Sequence, residues 1–364
     1  MLSGTESEPG RSLLERVLKA RGLEGEEAQA QLNSTLNDLH DPTLLPGADK
    51  AANRLIVALK NNEPVIIYGD YDVDGITATA ILFHTLRSIG GPDADVRTYV
   101  PHRLDEGYGL NADAIRSLAD EGAKVIISVD CGITACDEAD LAKSLGVDLI
   151  ITDHHNPPSD GSVPDAFAVV HPRAQGSSYP FIELCGAGVA YKLAWLLLVI
   201  ACGDEQGKLP KDKRELLLEL LAFASLGTIA DVVPLVDENR VITKYGLGRI
   251  PRSMFGGLRE LVSASGLDGE KIEADDVGFR LGPRLNACGR MGHAADAVEL
   301  FTTATGKRAR EIAEGLHDQN ESRRATERKI LDQAIELAEA QGMAGPDRRA
   351  IVLAHDDWHP GVVG

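Results

Sequence analysis

The sequence predicts an α/β protein: a mostly parallel sheet with helices on both faces, a long connecting helix, and the start of a second α/β domain. Short apolar runs alternate with helical stretches of about ten residues between positions 61 and 170, a pattern typical of consecutive βαβ units. Beyond residue 186 the pattern is mainly helical. The 364 residues, 43 % of them apolar, are enough for two or three domains.

Five short apolar runs predict the strands of the sheet, because β-branched residues dominate them and polar turns border them. In chain order they are Val65–Tyr68, Val96–Val100, Val125–Val129, Asp148–Thr152 and Ala168–Val170. A sixth run, Ala350–Ala354, predicts a strand near the end of the chain.

Apolar residues at helical spacing predict the remaining elements. They are Ser12–Ala20, Glu26–Leu39, Ala48–Lys60, Thr77–Ser88, Ala112–Ala119, Ala135–Leu145, Gly186–Cys202, Arg214–Leu226, Glu238–Ile250 and Lys307–Gln341. The last of these contains no proline and predicts a helix of up to about 50 Å, which Gly342 and Pro346 end.

We therefore expect four regions: a helical arm over 1–60, a catalytic α/β domain over 61–250, a helical region with the long connector over 251–345, and the beginning of a further domain over 346–364. The last region stops after one strand and one turn, which cannot bury a face alone. We expect that domain to be cut off.

Charge and cysteine content narrow the class of protein. The formal net charge of −19 argues against a chain that coats nucleic acid nonspecifically, but not against an enzyme whose substrate path is locally basic. Five widely spaced cysteines without a C-x-x-C pair favour a reducing, cytoplasmic compartment. The longest apolar run, Leu193–Cys202, is half of the roughly 20 residues that a membrane span needs.

The first chemical motif is the loop Gly69–Gly75, which holds Asp70, Asp72 and Asp74 directly after a predicted strand. Carboxylates this close repel one another unless a cation binds them. An EF-hand is excluded because its twelfth position, which requires Glu, is Ile81. A solvated acidic turn remains the alternative.

Further acidic and imidazole side chains follow two neighbouring strands: Asp130, and then Asp153, His154 and His155. Taken by itself, Asp130 would be interpreted as a helix cap, and the two histidines would be interpreted as surface residues. Together with the first loop they fall at the carboxyl edge of one sheet, where α/β proteins bind ligands. Asp231 lies in an apolar segment and is either a buried hydrogen-bond acceptor or a further ligand.

This donor set suits hard divalent cations. Carboxylates and imidazoles without thiolates favour Mn²⁺ or Mg²⁺. Because the acidic groups are too many for one ion, we expect two divalent cations, an arrangement that drives in-line displacement at phosphorus.

Seven ordered blocks resemble the DHH phosphoesterase family, named after the triplet Asp153-His154-His155, and within it the RecJ-type single-strand-specific 5′-exonucleases. The blocks are GDYDVDG at 69–75, VPHRLDEGYGLN at 100–111, SVDCGIT at 128–134, TDHH at 152–155, LGTIADVVPL at 226–235, GPRLNACGR at 282–290 and WHPGVVG at 358–364.

The resemblance implies roles for the acidic loops. The positions matching metal ligands are Asp72, Asp74, Asp130, His154 and Asp231. It also implies that Asp130 bridges both ions, that His155 lies near the leaving oxygen, and that Asp70 acts in catalysis as a ligand or an acceptor beside one. Some family members carry His at the position of Tyr68, so one ion here is expected to be held more weakly or by water.

A second set of residues is implied on the substrate side: Arg103, Tyr108, Arg284, Asn286, Arg290 and His359. Arg103 suits a phosphate clamp and Tyr108 a stacking platform. The alternatives are a surface arginine, a half-buried tyrosine, and a helix cap with solvated arginines.

The expected function is a 5′-to-3′ single-stranded-DNA exonuclease of repair and recombination. Its expected partners are single-stranded DNA and a helicase or single-strand-binding protein, with no membrane. The alternatives are a related phosphodiesterase for short oligonucleotides or cyclic dinucleotides, or a pyrophosphatase, and, in another class, a non-catalytic scaffold or an inactive fragment.

Overall fold

The computed structural model describes residues 12–103, 105–291, 294–343, 345 and 348–363, with the backbone alone at residue 291. The first eleven residues of the predicted arm over 1–60, parts of the predicted boundary near 345, and the last residue of the WHPGVVG block lie outside these ranges. The fold class is confirmed: five strands form one parallel sheet in the order β2-β1-β3-β4-β5.

The strands are β1 (Val65–Tyr68), β2 (Val96–Tyr99), β3 (Val125–Val129), β4 (Asp148–Thr152) and β5 (Ala168–Val170). Four of them have the predicted bounds, and β2 ends one residue earlier. Both faces of β1 and β3 are buried, which explains why apolar runs without alternation mark them in the sequence.

The helices before β3 are α1 (Leu13–Ala20), α2 (Gly25–Asn33), α3 (Ala48–Lys60), α4 (Val73–Gly90) and α5 (Ala112–Asp120). Those after it are α6 (Cys136–Ser144), α7 (Gly186–Cys202), α8 (Lys211–Ala230), α9 (Asp237–Leu247), α10 (Gly256–Ala264), α11 (Ala274–Asp276), α12 (Gly282–Met291), α13 (Ala295–Thr302), α14 (Gly306–Ala340) and α15 (Pro360–Val363).

Two of the predicted helices end at residues other than those expected. The segment predicted as Glu26–Leu39 is helical only to Asn33, and a separate 3₁₀ turn begins after Thr35. The helix predicted to end at Leu226 continues to Ala230, which brings Asp231 to its C-terminal end.

The sheet separates two buried layers. Val65 and Ile67 of β1 pack with α3, α4, α7 and α8, whereas Ile66 and Tyr68 pack with α5 and α6. This alternation is the two-residue period of a strand with both faces covered. The helices on both faces leave the carboxyl ends of the strands free to carry loops.

The helix α14 extends over 35 residues. Its first half packs on α10 and α12, and among the residues of its second half only Ala338 is buried. The predicted strand at Ala350–Ala354 is wrong: this segment forms no ladder with the described residues, and Val352 is 84 % exposed. A β-prone run needs a neighbouring strand to become one. Among the described residues, no helix combines the length and the hydropathy required to cross a membrane.

Candidate active site

The acidic loops of the sequence meet at the carboxyl edge of the sheet. The first residue after β3 and the first residue after β4 still belong to the ladder: the Asp130 N–H donates to the Thr152 carbonyl at 3.0 Å, and the Asp153 N–H donates to the Val170 carbonyl at 3.2 Å. Asp130 is held at φ +61°, a left-handed conformation that is unusual for a residue with a side chain. The sheet itself therefore fixes where these two aspartates lie.

Seven of the predicted site residues come together there in three overlapping groups. In each group the potential ligand atoms lie within 4.8 Å of one another, and the groups are Asp130/His154/His155, Asp74/His154/Asp231 and Asp70/Asp72/Asp130. Asp130 belongs to two groups, and so does His154. The arrangement offers two adjacent cation positions with one shared carboxylate.

The N-terminus of α7 holds Asp74. One carboxylate oxygen of Asp74 accepts from the Gly186 N–H at 2.6 Å, and the other accepts from the Ala187 N–H at 2.9 Å. Unpaired N–H groups at a helix N-terminus favour a negative charge. These bonds therefore stabilise the ionised form and fix its orientation, leaving further lone pairs free for a cation.

Two glycines allow backbone to approach these carboxylates. A Cβ at Gly186 would lie 2.6 Å from Asp130 Oδ1, and a Cβ at Gly227 would overlap Asp74 Oδ1. Only a residue without a side chain fits at such distances. Neither role was predicted, because the contacts join segments that are far apart in the sequence. For Gly186 the available signal was a glycine at the start of an apolar helix, and for Gly227 it was a glycine four residues before Asp231.

Asp153 orients the histidines instead of joining a group of candidate ligands. Its Oδ1 accepts from the backbone N–H of His154 at 2.7 Å and from Nδ1 of His155 at 2.7 Å, and its Oδ2 accepts from the Ile133 N–H at 2.9 Å. Since a carboxylate only accepts, His155 carries hydrogen on Nδ1. This hydrogen bond raises the pKa of His155.

The pKa values of the central carboxyl groups are raised. Burial, together with the charge of Asp72, raises the pKa of Asp70 to about 7. Burial and the charge of Asp74 raise the pKa of Asp231 to about 7, and burial raises that of Asp130 well above its usual range. Crowded, desolvated carboxylates of this kind are stabilised by a cation.

Buried polar atoms without a hydrogen-bond partner also indicate a cation site. His154 Nε2 lies 3.1 Å from Asp130 Oδ1 and 3.6 Å from Asp231 Oδ2. Neither His154 Nε2, Asp130 Oδ1 nor Asp70 Oδ1 has a partner with hydrogen-bond geometry. Burial also lowers the pKa of His154, which favours the neutral, metal-binding form. The residues present fit two divalent cations.

Tyr68 does not face this centre. Its hydroxyl donates to the Gly109 carbonyl at 3.0 Å and accepts from Asn111 Nδ2 at 3.2 Å. The side chain is fully buried in the layer beside α5 and α6, and burial raises its pKa. Its contact is with the loop that carries Tyr108.

An aromatic row borders the open side of the centre. The Tyr108 hydroxyl lies 3.3 Å from the Asp130 carbonyl and 3.4 Å from His155 Nε2, and the side chain is 54 % exposed. The Tyr108 ring meets the Tyr71 ring edge-on at 6.2 Å, and the Arg103 guanidinium lies over Tyr71 at 5.0 Å. Tyr71 is a residue that sequence reasoning missed; its place inside the acidic loop was the available signal.

Helix α12 lies against the same loop. Asn286 Oδ1 accepts from the Val73 N–H at 3.2 Å, at the start of α4. Burial, with the nearby charge of Arg103, lowers the pKa of Arg290. Asn286 thus contacts the start of α4, and Arg290 lies near Arg103.

The other two residues predicted on the substrate side have different surroundings. Arg284 donates to the Arg280 carbonyl at 2.6 Å and lies 3.1 Å from His317 Nδ1 on α14, so it faces the long helix. His359 accepts from the Gly361 N–H at 3.1 Å, and Gly361 packs on the Arg290 carbonyl.

The chain is similar to known proteins in both sequence and structure. The family described as "DHH family, N-terminal domain" matches residues 64–225. The single-stranded-DNA-specific exonuclease RecJ of Bacillus subtilis is 44 % identical over 97 % of this chain and 42 % of its own length. That of Escherichia coli is 34 % identical over 97 % of this chain and 60 % of its own length.

Two solved structures are also similar. A crystal structure of exonuclease RecJ bound to manganese superposes with a TM-score of 0.75 at 38 % identity, covering 88 % of this chain and 75 % of the other. RecJ of Thermus thermophilus in complex with Mn²⁺ gives 0.77 at 34 % identity, covering 96 % and 47 %. The chain spans 42 to 60 % of the length of the first curated relatives. Its fold, its acidic loops and these relatives together make it a member of the DHH family, of the RecJ type.

Proposed function

We propose that the chain carries the catalytic centre of a metal-dependent exonuclease that removes nucleotides from the 5′ end of single-stranded DNA. The observation that carries this proposal is the pair of cation positions sharing Asp130. Adjacent divalent ions with a common carboxylate are suited to displacement at a phosphodiester. The named activity of the relatives supports the substrate class.

The ligands follow from the three groups. Asp74, His154 and Asp231 would hold one Mn²⁺ or Mg²⁺, and Asp70, Asp72 and Asp130 would hold the other. Asp130 Oδ1 lies 3.1 Å from His154 Nε2, so this carboxylate is placed to be shared between the two ions. When bound, the ions acidify a water molecule and neutralise charge on the phosphate. The backbone N–H groups of α7 keep Asp74 oriented for this purpose.

His155 is placed to act on the leaving oxygen. Asp153 holds its Nδ1, which leaves Nε2 at the open side of the centre beside the Tyr108 hydroxyl. In its protonated form, Nε2 donates a hydrogen bond to the oxygen on which charge develops.

The aromatic row suits a single strand. Tyr108 and Tyr71 offer ring faces on which unpaired bases stack, and Arg103 and Arg290 offer positive charge to phosphates. Stacking of this kind requires exposed bases, so a duplex is a poorer substrate. The polarity follows the resemblance to 5′-exonucleases.

The cellular setting is part of the same proposal. The five cysteines are all free, which fits a reducing cytoplasm. A helicase or a single-strand-binding protein would supply or present the strand in repair and recombination. We include these partners because the substrate must first be made single-stranded.

The test is a digestion assay with Mn²⁺ on four substrates: 5′-labelled and 3′-labelled single strands, a duplex, and a cyclic dinucleotide. We expect early release of the 5′ label, slow attack on the duplex, and a loss of at least a hundredfold in Asp130→Ala. Asp113→Ala, at an exposed aspartate outside the centre, is the matched control.

Three outcomes contradict the proposal. Hydrolysis of the dinucleotide but not of the strand would indicate the related phosphodiesterase. Undiminished activity in Asp130→Ala would refute the shared-ligand centre. A wild-type chain that binds no Mn²⁺ and cuts nothing would indicate a scaffold or an inactive fragment.

A further inference from the structure

Val232 combines two features that rarely occur together. It is held at φ +60°, and its side chain is 85 % exposed. The other non-glycine residues with positive φ in the described ranges are Asn62, Asp130 and Asp237, so Val232 is the β-branched member of the set. A β-branched residue is strained in this conformation.

The end of α8 explains why residue 232 has a left-handed backbone, but it does not explain why this residue is a valine. The N–H of Asp231 donates to the Gly227 carbonyl at 2.9 Å, and the N–H of Val232 donates to the Ile229 carbonyl at 3.3 Å. A left-handed residue at this point is a common helix terminator, and glycine fills it without strain. Terminating the helix therefore does not require a side chain at position 232.

Packing against the residues that the structure describes does not explain the side chain either. The neighbours Ile229, Ala230 and Val233 all pack against the large buried cluster. Val232 is exposed between them. The cost of the left-handed backbone is not offset by burial of this side chain in the fold.

The position of Val232 suggests what covers it. It directly follows Asp231, whose Oδ2 lies 3.6 Å from His154 Nε2. Consecutive Cα atoms are 3.8 Å apart, so Val232 stands at the rim of the candidate metal centre. A phosphodiester held at that centre would have its sugar and base within reach of an exposed side chain next to Asp231.

We propose that Val232 is a substrate-contacting residue, whose exposed aliphatic side chain packs on the sugar or base of the nucleotide bound at the metal centre. This inference rests on the proposed function for the identity of the substrate. An aliphatic contact is indifferent to base identity, which suits an enzyme that removes successive nucleotides.

The test uses two variants of the 364-residue chain. Val232→Gly relieves the strain and removes the contact, so its Tm should rise by about 1–3 °C while KM for a single-stranded oligonucleotide rises roughly three- to tenfold. Val232→Ala keeps a Cβ in the left-handed conformation, so it should raise KM without the gain in Tm. In both variants kcat and Mn²⁺ affinity should stay unchanged.

Asn62→Gly is the matched control. Asn62 is also exposed and left-handed, but it lies in the turn between α3 and β1, at the amino end of the strand whose carboxyl end carries the acidic loop. It should leave KM as in the wild type.

Binding measurements separate this inference from the proposed function. Fluorescence anisotropy with the same oligonucleotide, with Ca²⁺ replacing Mn²⁺, should show Kd raised roughly three- to tenfold in both Val232 variants. Unchanged KM and Kd in both, or a lower Tm in Val232→Gly, overturns the inference. A wild type that binds the strand without cutting it contradicts the proposed function. In that case the Kd values of the Val232 variants, compared with the wild type, still test the contact proposed for Val232. A wild type that neither binds nor cuts contradicts both.

Discussion

Replacing Gly186 by alanine is expected to disturb the metal centre through a single added methyl group. The new Cβ would lie 2.6 Å from both Cβ and Oδ1 of Asp130, where real Cβ atoms are essentially never found. Asp130 cannot move away easily, because it is buried, has φ +61°, and is bonded to the Thr152 carbonyl. The start of α7 is equally fixed, since most of that helix is buried.

The size of the effect follows from these constraints. Overpacking at a fixed site costs about 1–3 kcal/mol of unfolding free energy. A displacement of α7 would also lengthen the 2.6 Å bond from the Gly186 N–H to Asp74. Because Asp130 belongs to two ligand groups, both cation positions change, and we expect Mn²⁺ affinity to fall by about 10- to 100-fold.

Isothermal titration with Mn²⁺ and thermal unfolding measure the two effects. Gly315→Ala is the control: its Cβ meets open space in the middle of α14, so it should keep wild-type affinity and gain up to about 1 kcal/mol from helix propensity. Wild-type Mn²⁺ affinity in Gly186→Ala would refute the argument that backbone approach positions Asp130.

Substitutions of Asp153, Tyr68 and His84 test three other contacts. Asp153→Asn should lower kcat about 10- to 100-fold with little change in Mn²⁺ affinity, because both Asp153 oxygens accept hydrogens and an amide must oppose one donor; equal loss of Mn²⁺ affinity would contradict an orienting role through His155. Tyr68→Phe should cost about 1–3 kcal/mol of stability without weakening Mn²⁺ binding, and weaker Mn²⁺ binding would contradict this. Burial lowers the pKa of His84 to about 4. Below pH 6.5 the unfolded chain therefore binds a proton that the folded chain excludes, and up to about 3 kcal/mol is lost between pH 6.5 and 4; His84→Leu should flatten this acid limb, and an unchanged limb would contradict it.

The sheet could be predicted almost to the residue, because its strands are buried on both faces and read as plain apolar runs. Because α/β proteins bind ligands at the carboxyl edge of the sheet, the same strands also predict that the acidic loops lie together. The strand at Ala350–Ala354 failed because strand formation depends on a partner, which local composition does not report.

The roles that could not be predicted depend on tertiary contacts. Nothing local shows that Gly186 approaches Asp130, or that Asn286 reaches the start of α4. The direction of Arg284 depends on the rotational phase of α12, which turns it toward His317. These contacts depend on how segments that lie far apart in the sequence pack together, and the local sequence does not contain that information.

Several features around the centre have the same effect on stability. Asp130 is strained, Asp70 and Asp231 are protonated more readily than ordinary carboxyls, and Val232 is strained and exposed. Each feature lowers the stability of the metal-free fold. Rigid elements hold them in place: the ladder positions Asp130, and the N-terminus of α7 positions Asp74. A centre held in this way needs little rearrangement when cations bind, so much of the binding free energy is expressed as stabilisation of the fold.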